Sequence, residues 1–248
     1  MSTKITCFMF LVGTLFLNAC ATYTPTVSVE QAIRTNDKKA LSYYRKNGEL
    51  DKLREEGTYL MQQSKTCYTD AVQHLLAAKA DINIADEQGN TALMFASANG
   101  CGDTAKLLID SGADVNAVNK MGWTPLMYAA YHHNLPAVQA LIASGADVNT
   151  RSPYGLSALI YATAKKPYTE ITGELLTAGA DVNVADIDGT TALMYAVSRN
   201  DGKLVKQFIQ AGADVNAVNR IGHTALMNAQ IEKFPQMIKI LKQAGATK

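Results

Sequence analysis

An all-α solenoid of stacked helix-turn-helix units, joined by short connector turns or hairpins, is the fold class this sequence predicts. Three observations predict it. The pentapeptide Gly-Ala-Asp-Val-Asn begins at Gly112, Gly145, Gly179 and Gly212, at spacings of 33, 34 and 33 residues. A second marker keeps phase with it: Thr91-Ala-Leu-Met, Thr124-Pro-Leu-Met, Ser157-Ala-Leu-Ile, Thr191-Ala-Leu-Met and Thr224-Ala-Leu-Met, with Thr58-Tyr-Leu-Met one period upstream. A glycine stands two residues before five of the six, at Gly89, Gly122, Gly155, Gly189 and Gly222, and Glu56 holds that place in the first. A fixed period of this length marks one supersecondary unit stacked several times.

Each part of the unit has a physical role. The Thr or Ser opens the first helix as an N-cap, its hydroxyl accepting an otherwise orphaned backbone N–H. Pro125 suits the first helical position, where a missing N–H costs nothing. Leu two residues after the cap and Ala five after it share an inward stripe. A turn follows, then a second helix carrying paired apolar residues: Leu75-Leu76, Leu107-Leu108, Leu141-Ile142, Leu175-Leu176 and Phe208-Ile209. The four pentapeptide glycines suit left-handed helix stops. Asp114, Asp147, Asp181 and Asp214, recurring in phase, read as turn residues that bond local backbone rather than as catalytic acids. Phe95, Tyr128, Tyr161 and Tyr195 form a ladder four residues after the cap, expected to pack between units with hydroxyls at a polar rim. The one 34-residue spacing places an extra residue in the turn at Lys165-Lys166-Pro167-Tyr168-Thr169, where a loop absorbs it.

The unit resembles the ankyrin repeat, whose first helix carries Thr-Pro-Leu-His-x-Ala. The resemblance covers residues 57–248, read as six repeats including a C-terminal cap whose last helix runs from Phe234 to Ala244. It departs from the family at one place. The His after Leu is Met94, Met127, Ile160, Met194 and Met227 here, so apolar packing replaces a polar contact between repeats. Residues 27–56 read as a degenerate N-terminal capping helix pair.

The N-terminus carries a different signal. Residues 1–19 hold a short basic start and an apolar run from Ile5 to Leu17, too short to span a bilayer and typical of a secretory leader. Leu17-Asn18-Ala19-Cys20 resembles a bacterial lipobox, which implies cleavage before Cys20 and lipid on its thiol. A plain secretory leader cut after Ala19 is the alternative. Ala21, where an aspartate would resemble an inner-membrane retention signal, favours the periplasmic face of the outer membrane. Residues 20–26 are then a lipidated cysteine and a short tether. Of the cysteines left after cleavage, Cys67 and Cys101 fall in the same inter-helix turn of adjacent units. Packed helices lie about 8–10 Å apart, and a turn can bring two Cα atoms to the roughly 4.4–6.8 Å a disulfide needs. In an oxidising compartment this predicts a Cys67–Cys101 bridge, the alternative being two unpaired thiols.

Composition narrows the function. The chain has 23 basic and 22 acidic side chains, and removing the leader takes away Lys4 alone. A near-neutral solenoid lacks the basic face a nucleic-acid binder needs. There is no Gly-rich phosphate loop, His-Glu-x-x-His, Gly-x-Ser-x-Gly or Cys-x-x-Cys. His74, His132, His133 and His223 have no carboxylate or cysteine at ligand spacing. Neither an enzyme, a metal site, a cofactor nor a small-molecule substrate is expected.

The resemblance implies a monomeric module that binds a protein partner with its concave face. Partners of the family usually meet the connector tips and the exposed side of the first helix. Here those positions include Lys120, Met121, Trp123, Tyr131, His132, Tyr154, Leu156, Ile187, Arg220, Ile221 and His223. Met121, Trp123, Tyr154, Leu156, Ile187 and Ile221 are apolar where solvent-facing connectors are normally polar, and exposed apolar clusters mark interaction sites. The alternative is that they fold back to finish the stack. The leading expectation is a membrane-anchored interaction module in the periplasm, the membrane being met through the lipid only. Two narrower alternatives stand beside it: an immunity protein that neutralises a toxic periplasmic effector such as a lipase, and an accessory or envelope-stress factor for an enzyme such as a catalase.

Overall fold

The structure is a computed structural model that describes residues 23–164 and 169–247. The leader, Cys20 and the Lys165–Tyr168 part of the expected insertion lie outside the described residues. Fourteen helices occupy them, with only isolated bridges between short connector segments. They form seven pairs in chain order: α1 (Val29–Thr35) with α2 (Lys38–Lys46), α3 (Tyr59–Lys65) with α4 (Thr69–Ala77), α5 (Ala92–Ala98) with α6 (Gly102–Asp110), and α7 (Pro125–Tyr131) with α8 (Leu135–Ala143). The last three are α9 (Ala158–Ala164) with α10 (Thr169–Thr177), α11 (Ala192–Ser198) with α12 (Gly202–Gln210), and α13 (Ala225–Ile231) with α14 (Pro235–Gln243).

The caps explain where the first helices begin. Thr58, Thr91, Thr124, Ser157, Thr191 and Thr224 each accept the backbone N–H three residues on, at 3.2–3.4 Å. The same bond recurs at Ser28, which accepts from the Gln31 N–H at 3.2 Å. The N-terminal pair therefore starts as the others do. Its helices have the same lengths as theirs, 7 and 9 residues, despite lacking the sequence markers.

Odd-numbered helices from α3 to α13 stack as one layer and even-numbered helices from α4 to α14 as another. The core runs unbroken between the layers. Leu60, Leu93, Leu126, Leu159, Leu193 and Leu226 fill it at the position two after each cap, and Ala96, Ala129, Ala162, Ala196 and Ala229 let neighbouring helices approach. Met61, Met94, Met127, Ile160 and Met194 are also fully buried, so the family's His position is an apolar contact here. In the last described pair Met227 is only partly buried.

The pentapeptide locks each pair to the next. Asp114, Asp147, Asp181 and Asp214 each accept the N–H two residues on at 2.8–2.9 Å, closing a local turn as a turn aspartate should. The following Asn reaches across the junction. The Oδ1 of Asn83, Asn116, Asn149 and Asn183 accepts from Asp114, Asp147, Asp181 and Asp214 N–H at 2.7–2.9 Å. Nδ2 of Asn149 and Asn183 also donates to the Gly179 and Gly212 carbonyls, at 3.1 and 3.2 Å. At the second pair Cys67 and Cys101 are joined by a disulfide with Cα atoms 5.1 Å apart, bridging adjacent inter-helix turns.

Candidate partner-binding face

The connector tips form a ladder of their own. The Lys120 N–H donates to the Gln88 carbonyl at 2.9 Å, Ile187 to Tyr154 at 2.8 Å, and Arg220 to Asp188 at 2.8 Å. Pro153 holds the equivalent donor position in the fourth connector and has no N–H to give. There the chains touch directly instead. A Cβ on Gly122 would lie 2.4 Å from Pro153 Cδ, and the backbone at Gly122 has φ +74°, so only glycine fits.

The expected apolar connector residues divide into two groups. Met121, Tyr154, Ile187 and Ile221 are solvent-facing, with exposures from 48 to 73 %. Val118 and Val218, three residues before Met121 and Ile221, are exposed within that range. Sequence reading passed over these valines because Gly-Ala-Asp-Val-Asn-Ala-Val reads as uniform repeat. Lys120 and Arg220 are exposed beside the tips and His223 is half-buried, its N–H held by Asn219 Oδ1 at 2.9 Å. Trp123 and Leu156 belong to the second group and pack against the core.

Trp123 is the hub of an aromatic cluster. Its ring centroid lies 4.9 Å from Tyr128, 5.5 Å from Tyr131 and 4.3 Å from Tyr161, which belongs to the next pair. Tyr131 meets Tyr161 edge-on at 5.9 Å, and exposed His132 stands edge-on to Tyr131 at 5.1 Å. The sole tryptophan is thus a floor beneath the tips rather than a projecting anchor. The ladder tyrosines end at polar partners. Tyr128 Oη donates to Asn90 Oδ1 at 3.2 Å and accepts from Asn119 Nδ2 at 3.0 Å, while Tyr195 Oη donates to Asp186 Oδ2 at 2.7 Å. Burial pushes the Tyr128 and Tyr161 phenols up. Burial, with the Asp186 carboxylate beside it, raises Tyr195 to about 12.

Among the described residues no cluster of three or more His, Cys, Asp or Glu could hold a metal ion, and no helix is long and apolar enough to cross a membrane. The chemistry on offer is surface recognition by apolar tips over an aromatic floor.

A family model for ankyrin repeats (3 copies) matches residues 30–119, 60–152, 116–186 and 159–248. The chain belongs to the ankyrin-repeat family. The first of these matches takes in most of the N-terminal pair as well. A solved structure of an ankyrin repeat domain from Acinetobacter baumannii is similar at 32 % identity and TM-score 0.69, over 76 % of this chain and 98 % of that one. The ankyrin repeat domain of Bcl-3, a member of the IkappaB protein family, is similar at 28 % identity and TM-score 0.70, over 78 % of this chain and 89 % of that one. No curated protein matches. Ankyrin repeat domains bind protein partners and are typically non-catalytic scaffolds, so the fold is that of an interaction module.

Proposed function

We propose that this ankyrin-repeat protein holds a protein partner against its connector tips while anchored through Cys20 at the periplasmic face of the outer membrane. The observation that carries the binding half is the run of exposed apolar side chains, Met121, Tyr154, Ile187 and Ile221, on successive connectors. Exposed apolar surface of this continuity on a folded body marks an interaction site. Backbone bonds between the tips fix its shape before the partner arrives, which lowers the ordering cost of association. The protein acts as a monomer by rigid display and does no chemistry itself. The lipobox-like Leu17-Asn18-Ala19-Cys20 stretch supports the anchor.

The test is affinity capture from periplasmic extract by the wild-type chain and by a Met121→Asp/Tyr154→Ala variant. Both altered side chains are exposed, so the variant should melt with the wild type. A protein retained by the wild type and lost by the variant supports the reading, and its identity separates the narrower roles. A toxic effector would make this chain an immunity protein, and a resident enzyme such as a catalase would make it an accessory factor. Capture that is indifferent to the two substitutions refutes the connector face. The anchor is tested separately: labelled fatty acid should enter the wild type and not Cys20→Ser.

A further inference from the structure

The first described residue is already docked on the second helix. The Tyr23 ring meets Tyr43 edge-on at 6.1 Å, and Lys39 Nζ sits 4.2 Å above its centroid. A few residues on, the Tyr44 hydroxyl donates to the Val27 carbonyl, so the strand leading into α1 is tied to α2 along its length. Tyr23 is three steps along the chain from Cys20. At about 3.3–3.6 Å each they reach only ~10 Å. Whatever surface receives a lipid on Cys20 lies against α2.

The composition of α2 suits that neighbour. It reads Lys-Lys-Ala-Leu-Ser-Tyr-Tyr-Arg-Lys, with Ala40 and Leu41 buried and Lys38, Lys39 and Lys46 exposed. Lys39, Tyr43 and Lys46 stand at i, i+4 and i+7, one outward stripe. Beside it a hollow of about 490 Å³ is ringed by Lys38, Arg45, Lys46, Lys79 and His74 over a floor that includes Leu41. Of the carboxylates at this end, Asp51 pairs with Arg45 at 2.7 Å and Glu49 with Arg54 at 3.3 Å. Glu30 accepts from the Tyr59 hydroxyl, and Asp37 caps α2 by accepting from the Lys39 and Ala40 N–H groups at 3.1 and 3.0 Å. Lysines interleaved with tyrosines are the side chains that sit well at an anionic headgroup layer, the ammonium groups on phosphates and the phenol rings at the interface.

We propose that the outer face of α2, with Tyr23, is a contact surface for anionic phospholipid. It fixes the orientation of the solenoid at the bilayer and points the later connectors away from it. The inference rests on the Cys20 anchor for its biological setting, but the surface chemistry is a property of the folded chain alone.

Every core residue lies between Val29 and Ala246, so a chain beginning at Ala21 keeps the whole core and carries no lipid. It is sedimented at low salt with vesicles of pure phosphatidylglycerol and of pure phosphatidylcholine. Binding to phosphatidylglycerol only, weakened by added salt, is expected. At about fivefold per lysine near an anionic surface, Lys38→Gln/Lys39→Gln/Lys46→Gln should weaken it about a hundredfold. Lys203→Gln/Lys206→Gln/Lys239→Gln on α12 and α14, an equal loss of charge elsewhere, should leave it unchanged. Equal binding to both vesicles, no binding to phosphatidylglycerol, or equal loss in the two variants overturns the proposal. Failure of Cys20 to take up fatty acid would remove the anchor without touching these results.

Discussion

Replacing Asn149 by alanine should loosen the junction between the fourth and fifth helix pairs. Asn149 makes two bonds across it: Oδ1 accepts from the Asp181 N–H at 2.9 Å, and Nδ2 donates to the Gly179 carbonyl at 3.1 Å. A protein hydrogen bond contributes about 0.5–1.5 kcal/mol net, and these are exposed, so the pair is worth about 1–2 kcal/mol. For a chain of this size that corresponds to a fall in Tm of roughly 3–6 °C. Asn99→Ala, which removes only a bond within its own unit to the Phe95 carbonyl, should cost about 0.5 kcal/mol or less. The assay is urea unfolding followed by tryptophan fluorescence and by far-ultraviolet dichroism. The chain has one tryptophan, Trp123, on the N-terminal side of the junction, whereas dichroism samples every helix. In a solenoid each unit contacts only its neighbours, so a weakened interface lets the two halves unfold separately. The Asn149 variant should therefore show two transitions that no longer coincide. Coincident curves with an unchanged midpoint would refute the view that these asparagines couple the units.

Three further outcomes follow from the same geometry. Trp123→Ala should destabilise by about 2 kcal/mol, less than the roughly 3–5 of a fully buried ring, whereas Tyr154→Ala should stay within about 0.5 kcal/mol; thermal melts of the two variants check the distinction. Reducing the Cys67–Cys101 bridge, whose partners are 34 residues apart, should cost about 3–4 kcal/mol by loop-closure entropy and raise hydrogen exchange chiefly in α3 to α6. Tyr195, held at about 12 against 10.0 when unfolded, binds its proton more tightly in the folded state. Its contribution is complete below the unfolded value and is lost as pH rises from there through the folded one, so Tyr195→Phe should flatten that part of the alkaline stability curve.

The fold was legible because its determinants repeat. A Thr cap, a Leu two residues on and a Gly stop each appear often enough that phase alone identifies them, and each sits where its chemistry requires. The N-terminal pair was harder to read because Ser28 caps α1 without the flanking Gly and Leu markers. Asn36 takes the left-handed turn at φ 52° that Gly100 takes in α5–α6. The inter-unit role of Asn83, Asn116, Asn149 and Asn183 was invisible for another reason. An asparagine in a turn bonds its own backbone as readily as a neighbour's, and only the stacked structure shows which carbonyl and which N–H lie in reach. The site was legible in part. Met121, Tyr154, Ile187 and Ile221 are exposed, whereas Trp123 packs on the next pair's Tyr161. Sequence position places both kinds at the connector and cannot say which side chain finds a ring to lean on.

In a repeat protein the informative residues are those that break the repeat without breaking the stack. Pro153 is one. It removes a rung from the backbone ladder between connector tips, yet the Gly122 contact keeps those tips together. The exposed side chains on either side are Met121 and Tyr154, and Trp123 and Tyr161 pack together at this junction. A rung of backbone hydrogen bonding has been exchanged for close van der Waals contact between two connectors that each expose an apolar side chain. Were these side chains merely completing the stack, they would pack against the core, as the partly buried Leu156 does. Their exposure beside rings that are themselves packed separates the layer that holds the fold from the layer free to meet another molecule. That separation supports the proposal that the connector face meets a partner.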